Sequence, residues 1–254
     1  MCLMQYNPFS LEGKTILVTG ASSGIGQTTA IECSKMGATV IITARNAERL
    51  QDTFDKLQGD GHQQFLADLS NEADIANLVE KTPNLDGCVN NAGIVMTKPL
   101  HFYKRADVEK MFSTNTFSAV FTIQQLVKKK KLNKNSSIVI TTSAGGVYGN
   151  TPGNGIYDMT KSALHSFMQT AALELAHKGI RCNSVNPAMV NTRMAEPSGS
   201  ISKEQIEADK KQYPLGRYGE PKEIAWAIIY LLSDASSWVT GTAFKIDGGR
   251  NLVR

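Results

Sequence analysis

The chain predicts an α/β fold, a doubly wound parallel sheet of about seven strands with helices on both faces, in a single domain spanning residues 1–254. Three observations predict it. Short apolar runs rich in β-branched residues recur along the sequence, stretches of helical period separate them, and 254 residues suffice to enclose one large core. Strands that alternate with helices are joined by right-handed crossovers and therefore run parallel.

The elements follow in order. Residues 15–19 read as a buried strand, and the glycine-rich turn Gly20, Ala21, Ser22, Ser23, Gly24, Ile25, Gly26 leads from it into helical periodicity over 25–36. Strand 39–43, helix 47–57 and strands 64–67 and 87–89 come next, the last followed by Asn90, Asn91, Ala92 and Gly93. A long helix is expected over 108–130, a strand over 138–142 that ends at Ser143, a helix over 157–177 and a strand over 180–185. Helix 221–232, with Pro221 suited to a first turn, and strand 243–246 complete the series. Residues 191–219 break the rhythm: Pro197, Gly199, Pro214, Gly216 and Gly219 surround a short polar helical stretch at 203–212. So long a connection reads as a substrate-binding loop or lid, the alternative being a disordered excursion.

Composition excludes several function classes. A net charge of +4 is too diffuse for a nucleic-acid binder, and the one dense basic run, Lys128, Lys129, Lys130 and Lys131 with Lys134, fits a solvated helix end or a partner-docking patch. Cys2, Cys33, Cys88 and Cys182 form no metal or disulfide framework, and His62, His101, His165 and His177 show no ligand spacing, so no metal is expected. No apolar run approaches a membrane span and the first residues carry no leader pattern, so the expectation is a cytoplasmic protein.

Two clusters carry chemistry. The glycine turn follows a strand and opens a helix, the context in which backbone N–H groups and the helix dipole hold a pyrophosphate. Tyr157 and Lys161 stand four apart, on one helix face, so a phenol and an ammonium share a small volume. An adjacent cation favours the phenolate by about 1–3 pKa units.

Taken with Asn91, Ala92 and Gly93, the spacing Gly20, Gly24, Gly26 and the pair Tyr157 and Lys161, the pattern resembles the short-chain dehydrogenase/reductase family over nearly the whole chain. Asp68 and Leu69, Asn115, Asn186 with Pro187 and Thr192, and Asp247 with Gly248 and Gly249 add to the resemblance. It implies a Rossmann fold, a nicotinamide dinucleotide and hydride transfer to or from a carbonyl carbon. Tyr157 is then the proton donor, Lys161 tunes it and holds the nicotinamide ribose, Ser143 orients the substrate oxygen, and Asn115 holds a water beside the lysine. The cofactor set is Gly20, Ser22, Ser23, Gly24, Ile25, Gly26, Arg45, Asp68, Leu69, Asn91, Ala92, Gly93, Tyr157, Lys161, Val190 and Thr192. Asp68 meets the adenine, and Val190 and Thr192 the nicotinamide end.

Cofactor choice rests on the end of the second strand, where an NAD-preferring fold places a carboxylate and this chain has Thr43, Ala44 and Arg45. A guanidinium grips phosphate oxygens, so NADP(H) is expected over NAD(H), with the Ser22 and Ser23 hydroxyls assisting. Two features depart from the family pattern. Ser143 and Tyr157 are 14 residues apart, one more than is commonest, leaving Thr142 as a substitute for the serine, and Ala188 stands where glycine is usual. The tail from Pro214 to Ile224 is similar to 3-oxoacyl-acyl-carrier-protein reductases, which implies a small carbonyl or alcohol substrate, carrier-linked or free, and a homodimer or homotetramer. Two rivals stay open: an NAD(P)-dependent alcohol, steroid or sugar dehydrogenase, and a nucleotide-sensing or scaffold protein without turnover.

Overall fold

A computed structural model describes residues 6–195 and 202–252. Its sheet has seven strands, all parallel: β1 (Thr15–Thr19), β2 (Thr39–Ala44), β3 (Gln63–Leu66), β4 (Leu85–Asn90), β5 (Leu132–Thr141), β6 (Arg181–Pro187) and β7 (Ala243–Ile246). Their order is β3-β2-β1-β4-β5-β6-β7, so the chain winds outward one way from β1 and then the other way from β4. The connections that follow β1 and β4 cross to opposite sides of the sheet order, which opens a crevice at the C-terminal ends of these strands, the general ligand site of such sheets.

Among the described residues the α-helices are α1 (Gly24–Lys35), α2 (Ala47–Phe54), α3 (Glu72–Lys81), α4 (Arg105–Phe112), α5 (Ser118–Lys128), α6 (Gly155–Leu175), α7 (Lys203–Lys210) and α8 (Pro221–Leu232). Strand side chains alternate between the two faces. Ile16, Val18, Val40 and Ile42 pack with Ala30 and Cys33 of α1 and Ile224 and Ile228 of α8. Leu17, Ile41 and Cys88 point the other way, against Ile75 and Leu78 of α3 and Leu126 of α5. Further along that sheet, Ile138 and Ile140 meet Ile123 of α5 with Leu164 and Met168 of α6. Burying each such side chain stabilises the fold by about 1.5–3 kcal/mol before entropy is counted, so two-sided burial explains why the strand runs are continuously apolar.

Three elements differ from the sequence expectation. Helix α3 is not among the expected elements, because Glu72, Asp74, Asn77, Glu80 and Lys81 outnumber the buried Ile75, Leu78 and Val79. Its N-cap is plain once seen, since the Asn71 side chain accepts a hydrogen bond from the Ala73 N–H at 2.8 Å. Strand β5 begins at Leu132, well before 138, because its first half is polar and Asn133 is satisfied by Asp86 at 2.8 Å. The expected single helix over 108–130 is α4 and α5 joined by a π-helical turn, Ser113–Phe117, with Asn115 inside it.

Of the basic run, Lys131 donates to the carbonyl oxygens of Glu80 and Thr82 at 3.1 and 2.7 Å, which pins the end of α3. Lys128 closes α5 as a solvated helix end. Among the described residues no helix is long and apolar enough to cross a membrane.

Candidate active site

A cleft of about 670 Å³ opens along the C-terminal edge of the sheet. Every expected site residue lines it except Gly26 and Asn115, which stand directly behind its wall. The two ends of this cleft are built differently.

At the β1 end the backbone does most of the shaping. Gly20 has φ +65°, and a Cβ there would lie 2.8 Å from the Ala92 Cα and 2.9 Å from its nitrogen, so only glycine lets the loops after β1 and β4 meet. The Thr19 hydroxyl accepts hydrogen bonds from the Asn91 and Ala92 N–H groups at 3.0 and 3.2 Å, which ties the same loops together. A Cβ on Gly24 would come within 3.2 Å of the Thr192 methyl, bringing the loop after β6 to the same point. Ser23, the N-cap of α1, makes no side-chain capping bond, and the first turn of α1 carries no acidic residue. Open helix N–H groups and a free hydroxyl suit an anion.

Beyond α1 the cleft meets β2 and β3. Arg45 is exposed and lies 3.9 Å from Asp68. Burial by itself would raise the Asp68 pKa, but hydrogen bonds from the Ser70 hydroxyl and N–H and the charge of Arg45 outweigh it and hold the carboxyl below its ordinary value. Sequence reading misses Arg49. It lines the cleft from the first turn of α2, and its Nε is buried without a hydrogen-bond partner. The signal is present in the chain: Arg45 and Arg49 stand four apart, with Asn46 capping α2 between them through the Arg49 N–H at 2.8 Å.

At the β5 end side chains dominate. Ser143 follows β5, Tyr157 and Lys161 lie in the first two turns of α6, and all three border one stretch of the cleft. Lys161 is 4% exposed, and its Nζ donates to the Thr141 carbonyl oxygen at 2.8 Å and sits 5.7 Å from the Tyr157 ring centre. Burial brings the lysine down to about 8. Burial likewise pushes the Tyr157 phenol up to about 12; the Ser143 hydroxyl works against this rise and the charge of Asp158 adds to it. Among the protein's own groups burial therefore outweighs what favours the phenolate, and Lys161 by itself does not bring the phenol down.

With the loop that joins it to Tyr157, Ser143 borders the same cleft as Tyr157 and Lys161. Its hydroxyl accepts from the Gly145 N–H at 3.0 Å, and the loop turns where the Gly146 N–H donates to Gly149 O at 2.7 Å. Thr142 is no substitute, since its hydroxyl is buried and donates to Val185 O at 3.2 Å. Asn115 accepts from the Ile94 N–H at 2.8 Å and donates to Ile94 O and the Thr160 hydroxyl at 2.9 and 3.1 Å, so it clamps the loop after β4 to α6. Its position inside the π-helical turn is what lets the amide reach across. Ala188 borders the cleft, with its N–H donating to Ile246 O at 3.1 Å.

Arg193, Met194, Asp209 and Tyr213 bring the 191–219 connection to the cleft, while Pro197 and Gly199 lie outside the described residues. Arg250 and Asn251 reach the same end. Among the described residues no cluster of potential metal ligands occurs. His62 is structural: its Nδ1 accepts from the Val40 N–H at 3.0 Å.

The sequence and the fold that carry this cleft are similar to those of known enzymes. The family model described as enoyl-(acyl carrier protein) reductase matches residues 20–251. The chain is 33% identical over 243 residues to a 3-oxoacyl-[acyl-carrier-protein] reductase of Rickettsia prowazekii, covering 96% of this chain and 99% of that one. A short-chain type dehydrogenase/reductase from Mycobacterium marinum superposes with TM-score 0.87 at 30% identity, over 96% of this chain and 97% of that one. The Pseudomonas aeruginosa RhlG/NADP active-site complex superposes with TM-score 0.90 at 34% identity, over 97% and 100% of the two chains. Sequence, fold and cleft agree, and the chain belongs to the short-chain dehydrogenase/reductase family of oxidoreductases.

Proposed function

We propose that the chain is an NADPH-dependent reductase that converts a 3-oxoacyl thioester, carrier-linked or free, to the 3-hydroxy product. The observation that carries this reading is the convergence of Ser143, Tyr157 and Lys161 on one stretch of the cleft with the phenol kept protonated. A neutral phenol is a proton donor, as carbonyl reduction requires. The identity to a 3-oxoacyl-[acyl-carrier-protein] reductase supports the substrate class.

The cleft fits a phosphorylated dinucleotide. Gly20 leaves room that a side chain would fill, Ser23 and the N-terminus of α1 offer unpaired donors to a pyrophosphate, and Arg45 with Arg49 would hold the 2′-phosphate. When bound, the reduced nicotinamide supplies the hydride that adds to the carbonyl carbon. Ser143 donates a hydrogen bond to the carbonyl oxygen and orients it, and the Tyr157 hydroxyl gives that oxygen its proton. Lys161 stabilises the phenolate left behind and reaches the nicotinamide ribose. Asp68 and Leu69 would hold the adenine, Asn91, Ala92 and Gly93 with Ile25 would line the cofactor pocket, and Val190 and Thr192 would approach the nicotinamide end. Residues 191–219 serve as the lid.

The exposed row Phe102, Phe117 and Phe121, with Met159 of α6 two residues beyond the active tyrosine, supports assembly of copies through the α4, α5 and α6 side of the molecule as a dimer or tetramer. The buried free thiols of Cys33, Cys88 and Cys182 accord with a reducing cytoplasm; Cys2 lies outside the described residues. The test is turnover of 3-oxoacyl thioesters with NADPH, free and carrier-linked, alongside enoyl thioesters and unactivated alcohols. Tyr157-dependent oxidation of NADPH by the 3-oxo compounds is expected. Faster turnover of enoyl thioesters or of sugar or steroid alcohols would reassign the substrate, and no turnover of any would favour a nucleotide-sensing role.

A further inference from the structure

At the β5 end of the cleft, two parts of the chain that proton transfer does not use come together. The turn after β7 lies against the 191–219 connection. Gly249 has φ +84°, and a Cβ there would lie 2.7 Å from Pro214 Cγ, so the turn presses onto the connection only as glycine. The Leu215 N–H donates to Gly248 O at 3.2 Å across the same contact. Asp247 shapes the turn, its carboxyl accepting from the Gly249 and Asn251 N–H groups at 3.0 and 3.1 Å.

This contact holds a cation at the cleft. Arg250 is half-buried and lines the cleft. Its Nη2 donates to Gln212 Oε1 at 2.5 Å, and its Cζ lies 5.7 Å from the centre of the Tyr213 ring. Tyr213 is fixed in turn, being 5% exposed with its hydroxyl accepting from the Met189 N–H at 3.3 Å. A guanidinium set on an aromatic ring and anchored at one nitrogen keeps its planar fork in one orientation, with further donors left for a ligand. Asn251 lines the cleft beside it, and its Nδ2 is buried without a hydrogen-bond partner. A Cβ on Gly149 would lie 4.0 Å from Asn251 Oδ1, so the amide faces the loop between Ser143 and Tyr157. Guanidinium and amide therefore stand on the side of the cleft that Ser143 borders.

The other charges of this corner leave the cation available. Arg193 lines the cleft from the start of the 191–219 connection, and Asp209, from the same connection, accepts from the Tyr218 hydroxyl at 2.8 Å. Asp247 is occupied by its own turn and lies 3.8 Å from Lys245. Among the described residues no carboxylate forms an ion pair with Arg250. We propose that Arg250, with Asn251 beside it, is a specificity-determining residue that receives an anionic oxygen group carried by the substrate. A carboxylate at the end of the acyl chain and the phosphate of a pantetheine arm share this chemistry, since each offers oxygens that a guanidinium fork grips by charge-assisted hydrogen bonds.

This inference rests on the carbonyl-reductase reading for its substrates, and its binding arm is read without turnover. Two matched pairs serve as probes. One is a 3-oxoacyl pantetheine whose chain ends in a carboxylate, beside its methyl ester; the other is 3-oxobutanoyl pantetheine with and without its 4′-phosphate. Kinetics give the ratio of kcat/KM for the charged to the uncharged member in the parent, Arg250→Gln and Arg250→Lys. In one pair Arg250→Gln is expected to lower that ratio about 10–100-fold, through KM and not kcat, with partial recovery in Arg250→Lys. The pair that responds identifies the source of the anion, acyl end or arm. Should Arg250→Gln fold poorly, the parent alone decides: its preference for the charged member is expected to shrink as salt rises, and a preference indifferent to salt defeats the proposal. In the binding arm the corresponding 3-hydroxy compounds are titrated calorimetrically into the protein loaded with NADP, and the affinity ratios are expected to follow the same order. Equal handling of both members of both pairs, or ratios unmoved in Arg250→Gln, would overturn the proposal. Absence of turnover in the parent would defeat the reductase reading alone and leave the calorimetric ratios to judge Arg250.

Discussion

The β1 end and the β5 end of the cleft meet ligand by opposite physical means. The β1 end is shaped by space that glycine leaves open and carries an exposed cation: Gly20 admits the Ala92 backbone, and the Arg45 side chain is 56% exposed. The β5 end is shaped by removal of water, which carries the Tyr157 phenol to about 12 and the Lys161 amine to about 8. Binding surfaces can stay wet, whereas a proton donor must be tuned by its surroundings. Substitutions at the two ends should therefore separate binding from turnover.

The largest expected effect is at the buried end. Tyr157→Phe removes the proton donor and is expected to lower turnover about 10²–10⁴-fold while leaving NADPH affinity within about twofold. Stopped-flow turnover beside equilibrium dinucleotide binding checks this, and a matching fall in affinity would erase the distinction between the ends.

The buried amine also makes a prediction about stability. Lys161 titrates at about 8 in the folded chain against an ordinary 10.5, so between those values the unfolded chain binds more protons and stability rises with pH. The contribution is full above 10.5 and is lost as pH falls through about 8. Lys161→Met should flatten that window, the parent gaining on the order of 1–3 kcal/mol relative to the variant from pH 8 to 10, by denaturant melts across pH. Above pH 10 the raised Tyr157 acts in the opposite sense, because its folded form then holds the extra proton.

Gly20→Ala tests the backbone end. A methyl 2.8 Å from the Ala92 Cα, at φ +65°, forces the loops apart and should cost about 1–3 kcal/mol of stability. Dinucleotide affinity should fall with it, by calorimetry, with NADH and NADPH affected alike. A loss confined to turnover would put the glycine in the wrong half of the comparison.

The smallest effects belong to the two arginines of the β1 end, exposed Arg45 and half-buried Arg49. Arg45→Gln and Arg49→Gln should each weaken NADPH binding about tenfold and leave NADH binding nearly untouched, and the Arg45 effect should shrink as salt screens it. Equal losses for both dinucleotides would remove the 2′-phosphate from their role.

Much of this is legible in the sequence, and for local reasons. The strands announce themselves because two-sided burial makes their runs apolar, the turn at Gly20 because only glycine takes its backbone, and the pair Tyr157 and Lys161 because helical geometry fixes which residues share a face. Helix α3 is not legible, since polar residues hide its narrow apolar stripe, and the π-helical turn at Asn115 is not, since its partners Ile94 and Thr160 lie far off in the chain. Arg49 goes unread beside Arg45 although the spacing is there.

The sequence by itself determined the fold class, the glycine turn and the phenol–amine pair on one helix face, because periodicity, sterics and side-chain chemistry act over a few residues. Only the tertiary structure decided that burial raises the phenol in the protein's own surroundings and that Ser143, Tyr157 and Lys161 border one stretch of the cleft. Those outcomes depend on how much water is excluded at one point by β5, α6 and the loop between them, a sum over distant segments that no local pattern records.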